Sequence, residues 1–554
     1  MKLTFNNWGG IAPRLDPLRL PVGVAATSVN VRPDPYSLKA WYCPKDAGSS
    51  VRPSTKTVFR YTDSHWFEFD YLASVVKAPI INDPNHEVVF TANDGLHYTR
   101  NSVATSRAPY PSTSYKLGIP QPAKPSISGG DSRAVSDTDV DVEDVAYAVT
   151  WVDAFGREGP ASPASSVARV KQTKSTRTAI TINRPAQPSG NYNFGRGAVW
   201  RIYRTNTASD GSGVWQYVAD VPYTTDRYTD TRRSEDVLEE MSTTDWFGPP
   251  DDNRSLWPSG PAKGVVSVAN SYLACFTGRT LCFSVPNVPH AWPPSFQIVV
   301  EYDIVGLASV GTDLVVLTKG HPYVVTGGGP GNLQAIKLPD PQACVSAQSI
   351  VALEDGVMYA SPDGLCIIRG YRSELVSSDV FDERTWASLK PASVNAAYYE
   401  GMYLFTCKDA TKCYIYVPNA KQQSLREVNF LPKVMYTDLA TDTLYYHEGD
   451  GRLKAFNKGD GKFSYKWESG RYDMMRPVNM SWGRVYASDY PVTFKLKSRN
   501  GCANERVETY TAHCSKPFRL KGGFLSTEYS LLIESDKTVH DIQIANNLSE
   551  FGAV

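Results

Sequence analysis

Short apolar runs broken by polar turns fill the second half of the chain, and they return at a nearly constant spacing. Five windows share one grammar: a polar turn, four apolar or aromatic residues, a second turn and a further apolar run. They are NSYLACFTGRTLCFS from Asn270, TDLVVLTKGHPYVVT from Thr312, DGVMYASPDGLCIIR from Asp355, EGMYLFTCKDATKCYIYV from Glu400 and DTLYYHEGDGRLKAF from Asp442. Each predicts a β-hairpin. Their first strand residues, Tyr272, Leu314, Val357, Met402 and Leu444, follow one another at 42–45 residues, the size of a four-stranded propeller blade. Apolar runs at Gly264–Ala269, Gly306–Val310, Gln348–Leu353 and Val394–Tyr399 predict a strand before each hairpin. Continuous apolar strands suit blades, which pack on both faces.

HEVVFTANDGLHYTR, from His86, has the same grammar, but its anchor Val88 precedes Tyr272 by 184 residues. That gap is one period plus an insertion. The extra chain starts after the Pro/Gly/Ser-rich LGIPQPAKPSISGG (117–130) and ends before a second linker, FGPPDDNRSLWPSGP (247–261). Between them, VAYAVTWVDAFGREGPAS, TAITINRP, AVWRIYRTNT and WQYVADVPYTTDRYTDT alternate apolar and polar residues, as half-buried strands do. The expected architecture is therefore all-β: a six-bladed propeller, an inserted immunoglobulin- or fibronectin-like β-sandwich at 118–245, and a C-terminal β region. The predicted divisions are 1–117 (N-terminal strap and first blade), 118–245, 246–472 (remaining blades) and 473–554. Two helices are predicted, DVLEEMSTTDW (236–246) and SDVFDERTWASL (378–389), the latter capped by Ser378 or Asp379 and stopped by Pro391.

Composition agrees with strands joined by many turns: 554 residues with 38 Pro, 40 Gly and 32 Tyr. Lys+Arg and Asp+Glu both number 57, so net charge gives no attraction to nucleic acid or an anionic membrane. Nine cysteines without a C-x-x-C pair predict buried free thiols rather than a disulfide framework. The N-terminus lacks the apolar core of a signal peptide, and no run reaches the ~18 apolar residues of a spanning helix, so a protein soluble when made is expected.

The sequence offers little chemistry. GGGPGN (327–332) lacks the Gly-Lys-Ser/Thr of a phosphate loop and predicts a turn between strands. DTDVDVED (137–144) spaces Asp137, Asp139, Asp141 and Glu143 like calcium ligands, but Val142 and Ala148 stand where the loop needs glycine and glutamate, which predicts a solvated acidic strand. SPDGLC (361–366) predicts a hairpin turn on Asp363-Gly364, and Glu354 and Asp355 also fall at a turn. The eight histidines have no metal-ligand spacing, and no serine sits in a nucleophile elbow. Nothing here demands a catalytic residue, cofactor or metal, and a non-enzymatic protein is expected.

FNNWGGIAPRLDPLRLPVGVAATSVNVRP (5–33), CFSVPNVPHAWPP (282–294), DIVGLASVGTDLVVLTKGHPYVVTGGGPGN (303–332), FDERTWASLKPASV (381–394) and SKPFRLKGGFLSTEYSLLIESDKTVHDIQIANNLSE (515–550), in that order, resemble the tail nozzle or tail-tubular proteins of short-tailed bacteriophages. The resemblance implies a virion tail protein made in the host cytoplasm and assembled as a ring, usually a hexamer. Such a ring extends and closes the DNA-ejection channel, adjoins an adaptor ring on the portal side, and docks fibres or a needle while DNA passes through. Two other readings stay open: a receptor- or carbohydrate-binding tail module, presenting aromatics near Trp151 and Trp215, and a propeller glycosidase or lyase. The proline-punctuated start is the candidate subunit-interface strap: Pro13, Arg14, Leu15, Asp16, Leu18 and Leu20, with the leucines available to pack and Arg14 and Asp16 to pair. It could equally cap the first blade, with Val29–Val31 entering a strand.

Overall fold

The hairpins fold where their periodicity places them in a computed structural model that describes residues 1–130, 141–173, 176–207, 213–269, 271–418 and 425–552. Tyr272–Thr277 pairs with Thr280–Phe283, Val357–Ala360 with Leu365–Arg369, Met402–Thr406 with Cys413–Tyr416, Thr443–His447 with Arg452–Ala455, and Val88–Ala92 with Gly95–Thr99. Asn270, the first residue of one window, lies outside the described residues. A strand on either side extends each hairpin to a four-strand meander, and the meander of the Met402 hairpin continues through Leu425–Val428 into a larger sheet with Ala25–Val29. Lys263–Val268 and Gln297–Val299 flank the Tyr272 hairpin, and Val75–Lys77 and Tyr115–Lys116 flank the Val88 hairpin. Ile304–Val310, Asp313–Thr318, Tyr323–Gly327 and Leu333–Lys337 form another such sheet in chain order. The chain is all-β, with the blade-type meanders of a β-propeller.

Two compact units divide the chain: Met1–Leu72 with Val315–Val324 and Lys337–Val554, and Ala73–Leu314 with Val325–Ile336. In the second unit, the first strands Val75–Lys77, Lys263–Val268 and Ile304–Val310 lie side by side; in the first unit, Val351–Ala352, Asn395–Tyr399 and Val434–Asp438 do the same. Propeller blades pack in this manner, sheet beside sheet through their innermost strands. One predicted inner strand is shorter than expected. Ala347–Ser349 winds into a 3-10 turn, so Gln348–Leu353 contributes only Val351–Ala352 to its sheet.

Residues 1–117 are not one region. The second unit begins at Ala73, whereas Lys45–Ser50 closes the meander of Val434–Ala455 from its outer edge. Lys2–Phe5 pairs with Val539–Ala545, and Ala25–Val29 with Tyr465–Ser469. The division expected at 472/473 also runs through continuous structure, because Tyr465–Ser469 pairs with Ser526–Ser535. Phe5, Trp8, Trp467, Phe494, Leu531 and Ile544 share one buried core. N- and C-terminal chain therefore build this sheet system together, a long-range pairing that local periodicity does not carry.

Within 118–245, two three-stranded sheets, one of Ser126–Gly129, Ile180–Asn183 and Arg227–Asp230 and the other of Tyr147–Val152, Val199–Thr207 and Gly213–Pro222, contribute to one core with Tyr147, Trp151, Ile182, Trp200 and Val218. The helix predicted at 236–246 is absent. Ser234–Asp236 makes one 3-10 turn, and Glu240 then bridges Gln216 at the edge of a sheet. Sheet-edge pairing overrides weak helix propensity there. The second helix forms as Glu383–Ser388, with Asp382 rather than Ser378 or Asp379 accepting the capping bond from the Thr385 N–H.

Candidate functional site

The strap is a closed loop on its own unit. Gly9 N–H donates to Gly23 O at 2.9 Å and Ala25 N–H to Gly10 O at 2.9 Å, so both ends of the loop meet at one neck, the geometry of an Ω-loop. Gly9 is required at that neck, because a Cβ there would stand 2.3 Å from Gly23 O. The neck is nailed to the core by Trp8, whose ring meets Trp467 edge-on at 4.9 Å, and by the Trp467 indole N–H, which donates to Gly9 O. Beyond it, Arg14 does not pair with Asp16. Its N–H donates to Val380 O and its guanidinium to Ser378 O at 2.6 Å, while Asp16 caps the 3-10 turn Pro17–Arg19 by accepting from the Leu18 N–H. Pro13 is exposed, and Leu15 and Leu20 are half-buried. Leu18 and Val22 point outward, 56% and 66% exposed.

A second feature, not legible in the sequence, is a cleft of about 910 Å³ in the Ala73–Leu314 unit. Its walls come from the turn at Asp94, the strand end at Lys116–Gln121, the loop at Ser189–Tyr192 and the linker Phe247–Trp257. Glycine lets these backbones meet: a Cβ on Gly118 would stand 2.8 Å from Pro249 Cδ, and Gly95 (φ +130) faces Pro250 O and the Asp251 Cα. Lys116 Nζ sits between Asp252 Oδ1 (2.9 Å) and Asp94 Oδ2 (3.3 Å), and the other Asp94 oxygen meets His97 Nε2 at 2.8 Å. Asp251 accepts from the Asn253 N–H.

These carboxyls sit in unlike surroundings. Burial alone would raise Asp94, but the neighbouring His97 and Lys116 outweigh it and hold that group below the usual carboxylate range. Asp252 is lowered by its hydrogen bond from Lys116, whereas burial pushes Asp251 upward. Such a set of unequal carboxyls in a concave site is what a binding or proton-handling cleft contains. No group of three or more His, Cys, Asp or Glu among the described residues could hold a metal ion.

No family model matches this chain. No curated protein matches it either. Among solved structures, it is similar to selenomethionine-substituted virginiamycin B lyase from Staphylococcus aureus (8% identity over 70% of this chain and 98% of that one, TM-score 0.27). It is also similar to Myxococcus xanthus glutaminyl cyclase (12%, 35% and 89%, TM-score 0.22) and to the β-propeller domain of Myceliophteria thermophila Cps50 (Swd1) (12%, 46% and 93%, TM-score 0.22). Likenesses this distant carry no argument about function.

The remaining sequence motifs resolve as structure. GGGPGN is the turn between Tyr323–Gly327 and Leu333–Lys337, and Asp363-Gly364 turns the hairpin between Val357–Ala360 and Leu365–Arg369. Asp355 pairs with Arg369, and Glu354 accepts from the Tyr398 hydroxyl. Of the acidic run, Asp137 and Asp139 lie outside the described residues; Asp141 and Glu143 stand on a strand, with Glu143 accepting from Ser234 Oγ. Trp151 is no exposed platform, being 1% exposed in the sandwich core, and Trp215 is half-buried against Ala148, Tyr203 and Met241. Cys502 and Cys514 are exposed and Cys43 is half-buried, against the expectation of uniformly buried thiols.

Proposed function

We propose that this chain is a structural subunit of a short-tailed phage tail, self-associating into a ring around the DNA-ejection channel, with the loop of residues 10–24 as a contact between subunits. The observation that supports this reading is the loop itself. Its neck is fixed by backbone bonds and two tryptophans, while Leu18 and Val22 leave more than half of their surface open to solvent. A rigid loop offering aliphatic side chains has little ordering entropy to lose on docking, which suits a permanent interface. Tyr36 and Met475, 82% and 108% exposed, add apolar surface in the same unit. The sequence motifs quoted above supply the tail assignment.

Deleting residues 1–20 would not test this, because Phe5 and Trp8 are part of the core and their loss would unfold it. The test is the double substitution Leu18→Asp and Val22→Asp, read by sedimentation and negative-stain images. The unaltered protein is expected to form rings of fixed symmetry, and the variant to remain monomeric with an unchanged thermal midpoint. A monomer at tens of micromolar for the unaltered chain, or rings unaffected by both aspartates, overturns the proposal.

A further inference from the structure

The cleft beside Lys116 lies outside the loop of residues 10–24, and its lining is specific enough to name a ligand class. We propose that it binds an uncharged oligosaccharide. Trp257, Tyr192 and Phe247 line the same cavity, and Phe247 is 37% exposed, so aromatic rings and polar groups share one concave wall. Sugar rings present that same pairing, axial C–H faces that pack on aromatic rings and hydroxyls that need acceptors at fixed positions. The acceptors here are held in place by the protein: Asp94 by His97 and Lys116, Asp252 by Lys116, and Asp251 by its own Asn253 turn. Gln121 and Asn253 add amides to the same lining.

Charge narrows the ligand further. Three carboxyls face one ammonium, so an anionic ligand such as a phosphorylated or sulfated glycan or a nucleic acid is repelled. A cationic peptide is disfavoured as well, because Lys116 already occupies the position between Asp94 and Asp252 that an incoming lysine or arginine would take. A purely apolar ligand would take this charged cluster out of water without adding a hydrogen bond to its remaining acceptor positions. A neutral polyol satisfies all three conditions.

The inference stands independently of ring formation, and its test uses the full-length protein. Maltohexaose, cellohexaose and N-acetylchitohexaose, together with a neutral-glycan array, are compared with heparin and hexalysine by saturation-transfer NMR and titration calorimetry. At least one neutral oligosaccharide should bind, and Trp257→Ala should weaken it about tenfold, the value of one lost stacking contact. Because Trp257 also packs against its neighbours, Tyr192→Ala and Asp251→Asn are measured in parallel, each with its thermal midpoint, and each should weaken binding while the protein stays folded. Binding only of hexalysine or heparin, binding of no neutral glycan at millimolar concentration, or neutral-glycan affinity untouched in folded Tyr192→Ala and Asp251→Asn overturns the proposal.

Discussion

The blade meanders and the sandwich segment bury their strands in different ways. In the hairpin of Val357–Ala360 and Leu365–Arg369, both faces are covered, and Val357, Met358, Tyr359, Ala360, Leu365 and Cys366 are each fully shielded. In the sandwich, Ile180–Asn183 alternates buried with more open positions, and the core contains charge: Arg204 and Asp230 are completely buried. Asp230 Oδ2 accepts from Arg204 Nη1 at 2.7 Å, Arg177 Nη1 at 3.2 Å and the Tyr147 hydroxyl at 2.7 Å, while Oδ1 accepts from the Arg232 N–H. A strand buried on two sides is held by apolar contact wherever it lies; one buried on a single face depends on register, and a charged centre fits only one register.

The sharpest way to break that contrast is to remove the centre. Asp230→Ala leaves two guanidiniums buried without their carboxylate, and it should cost about 3–5 kcal/mol, read as a fall in the denaturant midpoint of the sandwich strands by hydrogen exchange. Replacing Arg177, Arg204 and Asp230 together by Met, Met and Leu should restore most of that loss. A single alanine that costs under about 1 kcal/mol would mean that the cluster does not hold the sandwich.

In the meanders the corresponding change is a cavity. Ile367 is 1% exposed and packs with Met358, Leu365 and Trp386. Ile367→Ala should cost about 2–4 kcal/mol, somewhat less than Asp230→Ala, since only transfer and packing terms are lost and no charge is stranded. If the isoleucine change proves the larger, packing on two faces stabilises more per residue than the buried ion cluster does.

This difference also sets what the sequence could reveal. The meanders were legible because two-sided burial writes itself as unbroken apolar runs at a fixed period, and all six hairpins fold at their expected places. Sandwich strands were legible through alternation, but Arg204 and Asp230 look in sequence like surface residues, since nothing local says that the strands Val199–Thr207 and Arg227–Asp230, paired with Tyr147–Val152 and Ile180–Asn183, bring them to one point. The cleft was hidden for the same reason. Asp94, Lys116, Tyr192 and Asp252 are spread over 159 positions, from 94 to 252, and meet only because Gly95 and Gly118 permit close backbone approach. The strap was visible as a proline-rich segment; its neck, which depends on Gly9, Gly23 and Trp467, was not.

The smallest effect expected from buried polar groups in the Ala73–Leu314 unit is a dependence on pH. His290 turns its ring to the edge of Trp246, and both of its nitrogens are shut off from solvent although the residue as a whole is half-buried. Burial, reinforced by the like charge of Arg157, pushes it down to about 3 from the ordinary 6.5. Arg157 cannot move away: it is paired with buried Glu87 and lies over the Tyr98 ring at 3.7 Å, while Arg100 reaches Glu87 from the other side. Between pH 6.5 and 3 the unfolded chain therefore binds a proton that the folded chain refuses, so stability is complete above 6.5 and falls on acidification. At pH 5 the loss from this one group is about 2 kcal/mol. His290→Gln should flatten the profile between pH 7 and 5 relative to the unaltered protein, whereas Ile367→Ala should lower it without changing its slope. An unchanged slope in His290→Gln would place the acid sensitivity in other groups and remove pH from what distinguishes the two kinds of core.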